Sequence, residues 1–319
     1  MWTAQGVRDK STFTVTSVMN SIAIILVLIS CVTHAGWNLV CKSKTPSAAF
    51  FAISTTSSVI VLTPIFVYFL PRLGQVPMPV WELLIATGFF QTLYYANLGN
   101  SYRLNDMSLA YPIIRSLPVL LVPLVTALIS VGKPLSALAV LGMIIIAVGC
   151  ILLPLKKINS TILKTYFRYS FLFVGLAAVG TAGYSIIDSA ALGWLKDGAQ
   201  PFSTMQAALF YIAFENLVSL FYIWAYVALS RREKINLRII RKRSLRFPLL
   251  AGPVVSITYT LVLLAMEFAS NVSYIVAFRQ VSIVVGVLLG IFVLKEKSTP
   301  FKIAGTALIF IGLVLAAVW

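Results

Sequence analysis

The sequence predicts an all-α integral membrane protein, with ten transmembrane helices arranged as two inverted five-helix repeats. Three observations carry that expectation. First, 60% of the 319 residues are hydrophobic, only 11% are charged, and the mean hydropathy is +0.95; an ordinary soluble domain is about 45–50% apolar and about 25% charged. Second, the apolar residues come in long runs, and roughly 20 such residues are what a helix needs to cross a hydrocarbon core of about 30 Å. The short alternating segments of a membrane barrel are absent, and helices are the elements that satisfy their own backbone in lipid. Third, the chain repeats itself. Tyr95, Arg115, Gly142 and Gly149 are matched by Tyr259, Arg279, Gly305 and Gly312, with only a single-residue slip between arginine and glycines.

The elements follow in order. Residues 1–17 form a polar, weakly basic N-terminal segment. The apolar run after it is longer than a signal-peptide core and lacks a small-x-small cleavage site, so it reads as a retained first helix. Helices are expected at 18–41, 46–70, 79–101, 107–130 and 134–154, making a first repeat of 18–154. Their breaks are marked by Pro46, by Pro71 to Pro79, and by Gly132-Lys133-Pro134, the punctuation expected at helix ends. A linker loop, 155–167, carries Lys156 and Lys157. The second repeat, 168–319, holds helices at 168–194, 202–229, 247–268, 271–294 and 299–319, with breaks at Asp197 to Pro201 and Lys295 to Pro300. Between its second and third helices lies a basic loop, 230–247, with eight Lys/Arg against one acid; such a stretch belongs at the lipid headgroups.

The repeat reaches the first helix of each half. Ala35-Gly36-Trp37-Asn38 corresponds to Ala182-Gly183-Tyr184-Ser185 at an offset of 147, against 164 for the Tyr and Arg pairs. About 17 extra residues therefore enter the second half, and the basic loop is where they are expected. Five helices per half is an odd number, so the second half must run inverted relative to the first. Inverted repeats place a substrate site near the bilayer midplane, between the halves.

Several functions are excluded by what is missing. A formal charge of +16 would suggest nucleic acid in a soluble chain, but here the basic residues fall in short connections where topology and lipid account for them, so no nucleic-acid partner is expected. Cys31, Cys41 and Cys150 lie within or at the end of apolar segments and show no CxxC spacing, and the chain has a single histidine. Neither a disulfide framework nor a metal site is expected, nor any cofactor. No GxxxxGK[ST], HExxH or GxSxG is present, so neither direct ATP use nor an intramembrane hydrolase is indicated. The chain does not read as an enzyme.

The residues also carry a resemblance. The stretches His34-Ala35-Gly36-Trp37-Asn38 with Lys42, Tyr102 to Pro112 with Arg115, Tyr184 to Asp188, Val272-Ser273-Tyr274 with Arg279-Gln280-Val281-Ser282, and Leu294-Lys295-Glu296 with the closing glycines are similar to those of the drug/metabolite transporter superfamily, in particular its ten-helix EamA-type members. The resemblance covers nearly the whole chain. It implies secondary transport and leaves the substrate open. Two departures stand out: Gln280 occupies a position where similar sequences often carry an acid, and Gly132-Lys133 replaces an acid matching Glu296. Orientation has two readings. The positive-inside rule applied to the connections places both termini outside, whereas the resemblance implies that both are cytoplasmic.

The candidate site residues are those that are costly at bilayer depth. A charge there persists only when it faces a partner or water. Arg115 and Arg279 occupy matched positions and are expected to clamp a carboxylate or phosphate or, alternatively, to brace the bundle by pairing with Asp188, Glu215 or Glu267. Asp188, Glu215 and Lys42 are candidates for coupling or charge pairing. His34, Asn38 and Lys42 lie at i, i+4 and i+8, one polar stripe down the first helix. Trp37, Tyr95, Tyr111, Tyr184, Tyr259 and Gln280 complete the expected substrate-binding set. The expected function is non-ATP transport of a small polar metabolite, anionic or zwitterionic (organic acid, amino acid or phosphorus compound), by alternating access. The alternative is proton-coupled export of amphipathic cations with Asp188 as counter-charge. The partners expected are that small molecule and membrane lipid, in a multi-pass protein of the cell (inner) membrane. A monomer is the expectation and a dimer the alternative.

Overall fold

A computed structural model describes residues 19–43, 45–104, 107–130, 132–153, 155, 170–198, 200–285 and 299–318. Among these the protein is helical throughout, with one isolated bridge between Met19 and Ala269. The helices are α1 (Ser21–Ser43), α2 (Ala48–Val61), α3 (Thr63–Phe69), α4 (Met78–Leu104), α5 (Met107–Leu128), α6 (Ala137–Leu152), α7 (Ser170–Asp197), α8 (Thr204–Leu229), α9 (Arg231–Arg243), α10 (Arg246–Met266), α11 (Val272–Phe278) and α12 (Pro300–Val318). Four described stretches are long and apolar enough to cross a membrane: Ala110–Leu128, Phe171–Asp197, Thr204–Leu229 and Arg246–Met266. The bent pair α2–α3, running on into the following turn, makes a fifth if it is one span. Shorter apolar helices accompany them. Large apolar side chains such as Ile25, Val32, Leu124, Leu128, Phe221 and Phe310 face outward, as lipid contact requires. This is the surface and helix content of a membrane protein.

Local sequence explains where the helices stop and bend. Ser47, Ser136, Ser203 and Ser230 each accept an N–H of the first turn that follows them, satisfying donors that a helix start leaves orphaned. The expected helix at 46–70 is instead two pieces bent by 52° at Leu62. Pro64, at the start of the second piece, has no N–H to continue the ladder and its ring crowds the preceding turn. In α5 three internal prolines, Pro112, Pro118 and Pro123, are accommodated without ending the helix.

Two expectations need correction. The stretch at 230–247 is not a loop: Arg231–Arg243 is a helix. Its Ser230-x-x-Glu233 opening places a capping oxygen before a run of Arg, Lys and Glu, all good helix formers. Glu233 is buried, and its Oε2 accepts the backbone N–H of Ala49 at 2.9 Å, setting a carboxylate on the N-terminus of α2. The expected continuous helix at 271–294 is broken, since α11 ends at Phe278, turns at Arg279–Gln280, and helix resumes from Val281 to Val285. Residues 286–298, with Glu296, lie outside the described residues, as do the 1–18 segment and most of the linker.

Close approaches between helices are made by small residues. In α6 and α12 the glycines face each other reciprocally: a Cβ on Gly149 would stand 2.7 Å from the Gly305 carbonyl oxygen, and one on Gly142 2.6 Å from that of Gly312. Such contacts are how apolar helices gain packing where no water drives them together. In α7, Gly180 lies against the backbone of Tyr94 and Phe90 in α4. The corresponding seam between α1 and α10 is joined differently, by a hydrogen bond from Thr258 to Thr33 at 2.8 Å.

Candidate functional site

The seams α4–α7 and α1–α10 flank a cleft with two adjoining lobes. The larger has about 320 Å³ of empty space and is lined by His34, Trp37, Gln91, Tyr94, Tyr95, Tyr184, Val255, Thr258, Tyr259 and Arg279. The smaller has about 260 Å³ and is lined by Gln91, Tyr95, Ile212, Glu215, Asn216, Ser219, Val255, Ser256 and Tyr259. Gln91, Tyr95, Val255 and Tyr259 belong to both. Sites for small molecules are concave and apolar with a few convergent polar groups, which describes this cleft.

Its walls are aromatic and ordered by their mutual contacts. Tyr95 stacks on Phe51 with ring centroids 4.5 Å apart, Tyr184 meets Tyr94 and Tyr259 edge-on at 5.9 and 5.5 Å, and His34 packs edge-on against Trp37 at 4.8 Å. These are the offset and T-shaped geometries that aromatic pairs prefer. Arg279, 5% exposed, holds its guanidinium over the Tyr259 ring, 5.7 Å from the centroid, a cation–π distance. No carboxylate among the described residues forms an ion pair with it.

Arg115 is placed quite differently from its sequence mate. Its Nη2 donates to the Arg279 carbonyl at 2.6 Å and to Ser282 Oγ at 3.0 Å, and its Nη1 lies 3.5 Å from His34 Nε2. The Arg279 carbonyl also accepts from Ser282 Oγ at 2.8 Å and from Cys31 Sγ at 3.5 Å. That carbonyl sits at the break after α11. A backbone acceptor at membrane depth must find a partner inside the protein, and Arg115 supplies the charged one, beside the Ser282 backbone N–H at 3.3 Å.

The carboxylates are engaged by neutral donors. Asp188 is fully buried; Oδ1 accepts from Thr87 at 2.6 Å and from Tyr211 at 2.8 Å, while Oδ2 accepts from Tyr259. Tyr259 therefore links Asp188 to the cleft through its hydroxyl and Arg279 to the cleft through its ring. Glu215 accepts from Gln91 Nε2 at 2.5 Å on Oε1, and its Oε2 has no partner. Glu267 pairs instead with Lys196 at 2.7 Å. The expectation that the acids neutralise the two arginines by direct pairing is not met among the described residues.

Of the expected site residues, His34, Trp37, Tyr95, Tyr184, Tyr259 and Arg279 line the larger lobe and Glu215 the smaller. Arg115, Asp188, Tyr111 and Gln280 do not line either; Gln280 is buried with its amide donated back to Val276 at 2.8 Å. The side chains of Asn38 and Lys42 lie outside the described residues. Sequence reasoning missed Gln91, Asn216, Ser219, Val255, Ser256 and Thr258. A signal existed for some of them. The offset of 164 that matches Tyr95 with Tyr259 also matches Gln91 with Val255 and Tyr94 with Thr258, and all six line the cleft. Trp37 and Tyr184, matched at the other offset, line it as well.

No family model matches the chain, and no curated protein matches it. Solved structures do. One crystal structure of a protein aligns over 93% of this chain and 97% of its own, with a TM-score of 0.60 at 16% sequence identity. At that identity the likeness is one of fold alone.

Proposed function

We propose that this protein is a secondary transporter of a small polar metabolite, anionic or zwitterionic, of the EamA type within the drug/metabolite transporter superfamily. In this reading ten spans form two inverted five-helix repeats, and the cleft is the site around which the halves rock. The observation that carries the reading is the pairing of cleft walls by sequence register: Gln91/Val255, Tyr94/Thr258, Tyr95/Tyr259 and Trp37/Tyr184 all border one cavity. Matched residues meet on one cavity when a two-fold axis runs through it. The reciprocal glycine contacts of α6 and α12 support the same axis, since Gly142 meets the mate of Gly149 and Gly149 meets the mate of Gly142.

The polarity of the cleft supports the substrate class. The larger lobe offers the Arg279 guanidinium and the Trp37 Nε1, a buried donor without a partner. A guanidinium that no described carboxylate pairs with, beside a free indole N–H, suits a carboxylate or a phosphorus oxyanion. The cation-export alternative is supported less well, because Asp188 has both oxygens occupied and stands behind Tyr259. Secondary transport needs no hydrolytic apparatus, and the site is consistent with a multi-pass protein of the cell membrane that works as a monomer.

The test is solute movement. Purified protein in proteoliposomes should carry members of an anionic and zwitterionic panel across the bilayer, and Arg279→Gln should weaken the apparent affinity roughly 30-fold at matched reconstitution. Transport confined to cations, or unchanged in that variant, would overturn the substrate class.

A further inference from the structure

The smaller lobe holds four oxygen atoms that folding has buried and left without a protein partner: Gln91 Oε1, Glu215 Oε2, Ser219 Oγ and Ser256 Oγ. Their residues are 7%, 2%, 3% and 4% exposed and all four line the one lobe. They come from three helices, α4, α8 and α10. A single orphaned oxygen in a fold costs about 1–3 kcal/mol, and buried polar groups are otherwise almost always satisfied. Four converging on one cavity are a ligand set waiting for its ligand.

The chemistry of the set selects what it takes. It comprises a carboxylate, an amide carbonyl and two hydroxyls, with no Lys or Arg lining the lobe. Oxygen donors of this kind suit hard cations, and the lobe contains no imidazole or thiolate for a softer metal. The carboxylate is also short of positive charge. Arg279 belongs to the other lobe, and the described residues hold no ion pair to Glu215. A buried carboxyl in this position is neutralised either by a proton or by a cation brought in from outside, and the three further unpartnered oxygens beside it are what a cation would use.

We propose that this lobe is a cation site whose ligands are Glu215, Gln91, Ser219 and Ser256. The cation is small, stripped of water and bound through oxygen. It is either a free alkali ion or the ammonium group of a zwitterion whose anionic end lies at Arg279. Binding itself stands on the geometry of the lobe; its service as coupling ion or as substrate subsite rests on the transport reading.

The experiment is thermal unfolding of the full chain in detergent at constant ionic strength, with choline chloride replaced stepwise by NaCl, KCl or methylammonium chloride. A ligand that binds only the folded state raises the melting temperature by mass action. We expect a saturable rise with at least one of the three over choline. It should be absent in Glu215→Gln and shifted at least tenfold in midpoint concentration in Ser256→Ala. A rise with Na+ or K+ identifies a free ion; a rise confined to methylammonium identifies the ammonium of a substrate. Equal melting temperatures in all four salts would overturn the site, as would a cation-specific rise that survives in Glu215→Gln. Should that variant not fold, Ser219→Ala with Ser256→Ala decides, and unchanged midpoints would overturn it equally. Cation binding in a protein that moves no solute would sink the transport reading and leave the site standing; solute transport with equal melting temperatures in all four salts would do the reverse.

Discussion

Arg115 and Arg279 sit at the same register of the two halves, yet they do different work. Around Arg115 the helix is continuous, α5 running through three prolines, and the guanidinium reaches across to the other half. Around Arg279 the helix is broken, and the side chain stays in the cleft over Tyr259 while its carbonyl accepts from Arg115 and, in a tighter i+3 turn, from the Ser282 backbone N–H at 3.3 Å. One arginine is spent on the break that the other needs. Sequence symmetry supplied two equal candidates; the asymmetry of the backbone divided them into a brace and a cleft residue, the one proposed as the binding group. Unwound backbone at membrane depth is tolerated where protein or a cavity satisfies it, and here a charged donor does so.

Breaking the brace should have the largest effect. Arg115→Met removes two hydrogen bonds from a charged donor, to the Arg279 carbonyl and to Ser282 Oγ, together worth about 3 kcal/mol or more. The melting temperature should fall well below that of Arg279→Gln measured in the same detergent. The opposite ranking would mean that Arg115 is not the structural member of the pair.

Removing the binding group comes next. On the proposed function, Arg279→Gln loses an interaction of a charged donor with substrate, about 2 kcal/mol, or roughly 30-fold in apparent affinity. Concentration dependence of uptake in proteoliposomes reads that shift, and a melting temperature near that of wild type separates it from damage to the fold. An affinity left unchanged would return Arg279 to the rank of a packing residue.

The division between the two arginines shows what the sequence could and could not reveal. Apolar run lengths located α5, α7, α8 and α10 to within a few residues, because a lipid-facing helix must be apolar over its whole length. They located α4 as well, although Gln91, Asn97 and Ser101 are buried along it, the composition of a helix that borders a polar cleft. The bend at Leu62 and the break at Arg279 left a fainter trace. Pro64 marks the first, but no glycine or proline marks the second; what stabilises it is Arg115, 164 residues away. The helix at Arg231–Arg243 was hidden by its charge, although Ser230 and Glu233 spell out its cap. Candidate residues were legible where polarity interrupts an apolar run, as at Glu215 and Arg279. Val255 lines the cleft without any such signal, and only its register with Gln91 could have found it.

The two seams beside the cleft offer the finer comparison. On one side Gly180 lets α7 approach the backbone of α4, and a Cβ there would stand 2.7 Å from the Tyr94 backbone nitrogen. That atom cannot yield as a flexible side chain would, so Gly180→Ala should force the helices apart at about 1–3 kcal/mol. Because Tyr94 lines the cleft, substrate affinity should fall along with the melting temperature. An Ala variant of wild-type stability and affinity would mean that the seam is looser than its geometry.

On the other side the register mates of Gly180 and Tyr94 are Thr33 and Thr258, which meet through hydroxyls at 2.8 Å. Here two side chains, rather than backbone against a glycine, make the contact between the helices. Hydrogen bonds between membrane helices average only about 0.6 kcal/mol in double-mutant cycles, so Thr258→Val should be the mildest of these changes. The one Thr258 hydroxyl proton is shared between Thr33 and the Val254 carbonyl, 2.6 Å away, so the single substitution mixes two losses. A cycle of Thr258→Val with Thr33→Val isolates the bond across the seam. A coupling near zero would show that α1 and α10 are held by packing alone. That would make the α1–α10 seam the more freely sliding of the two.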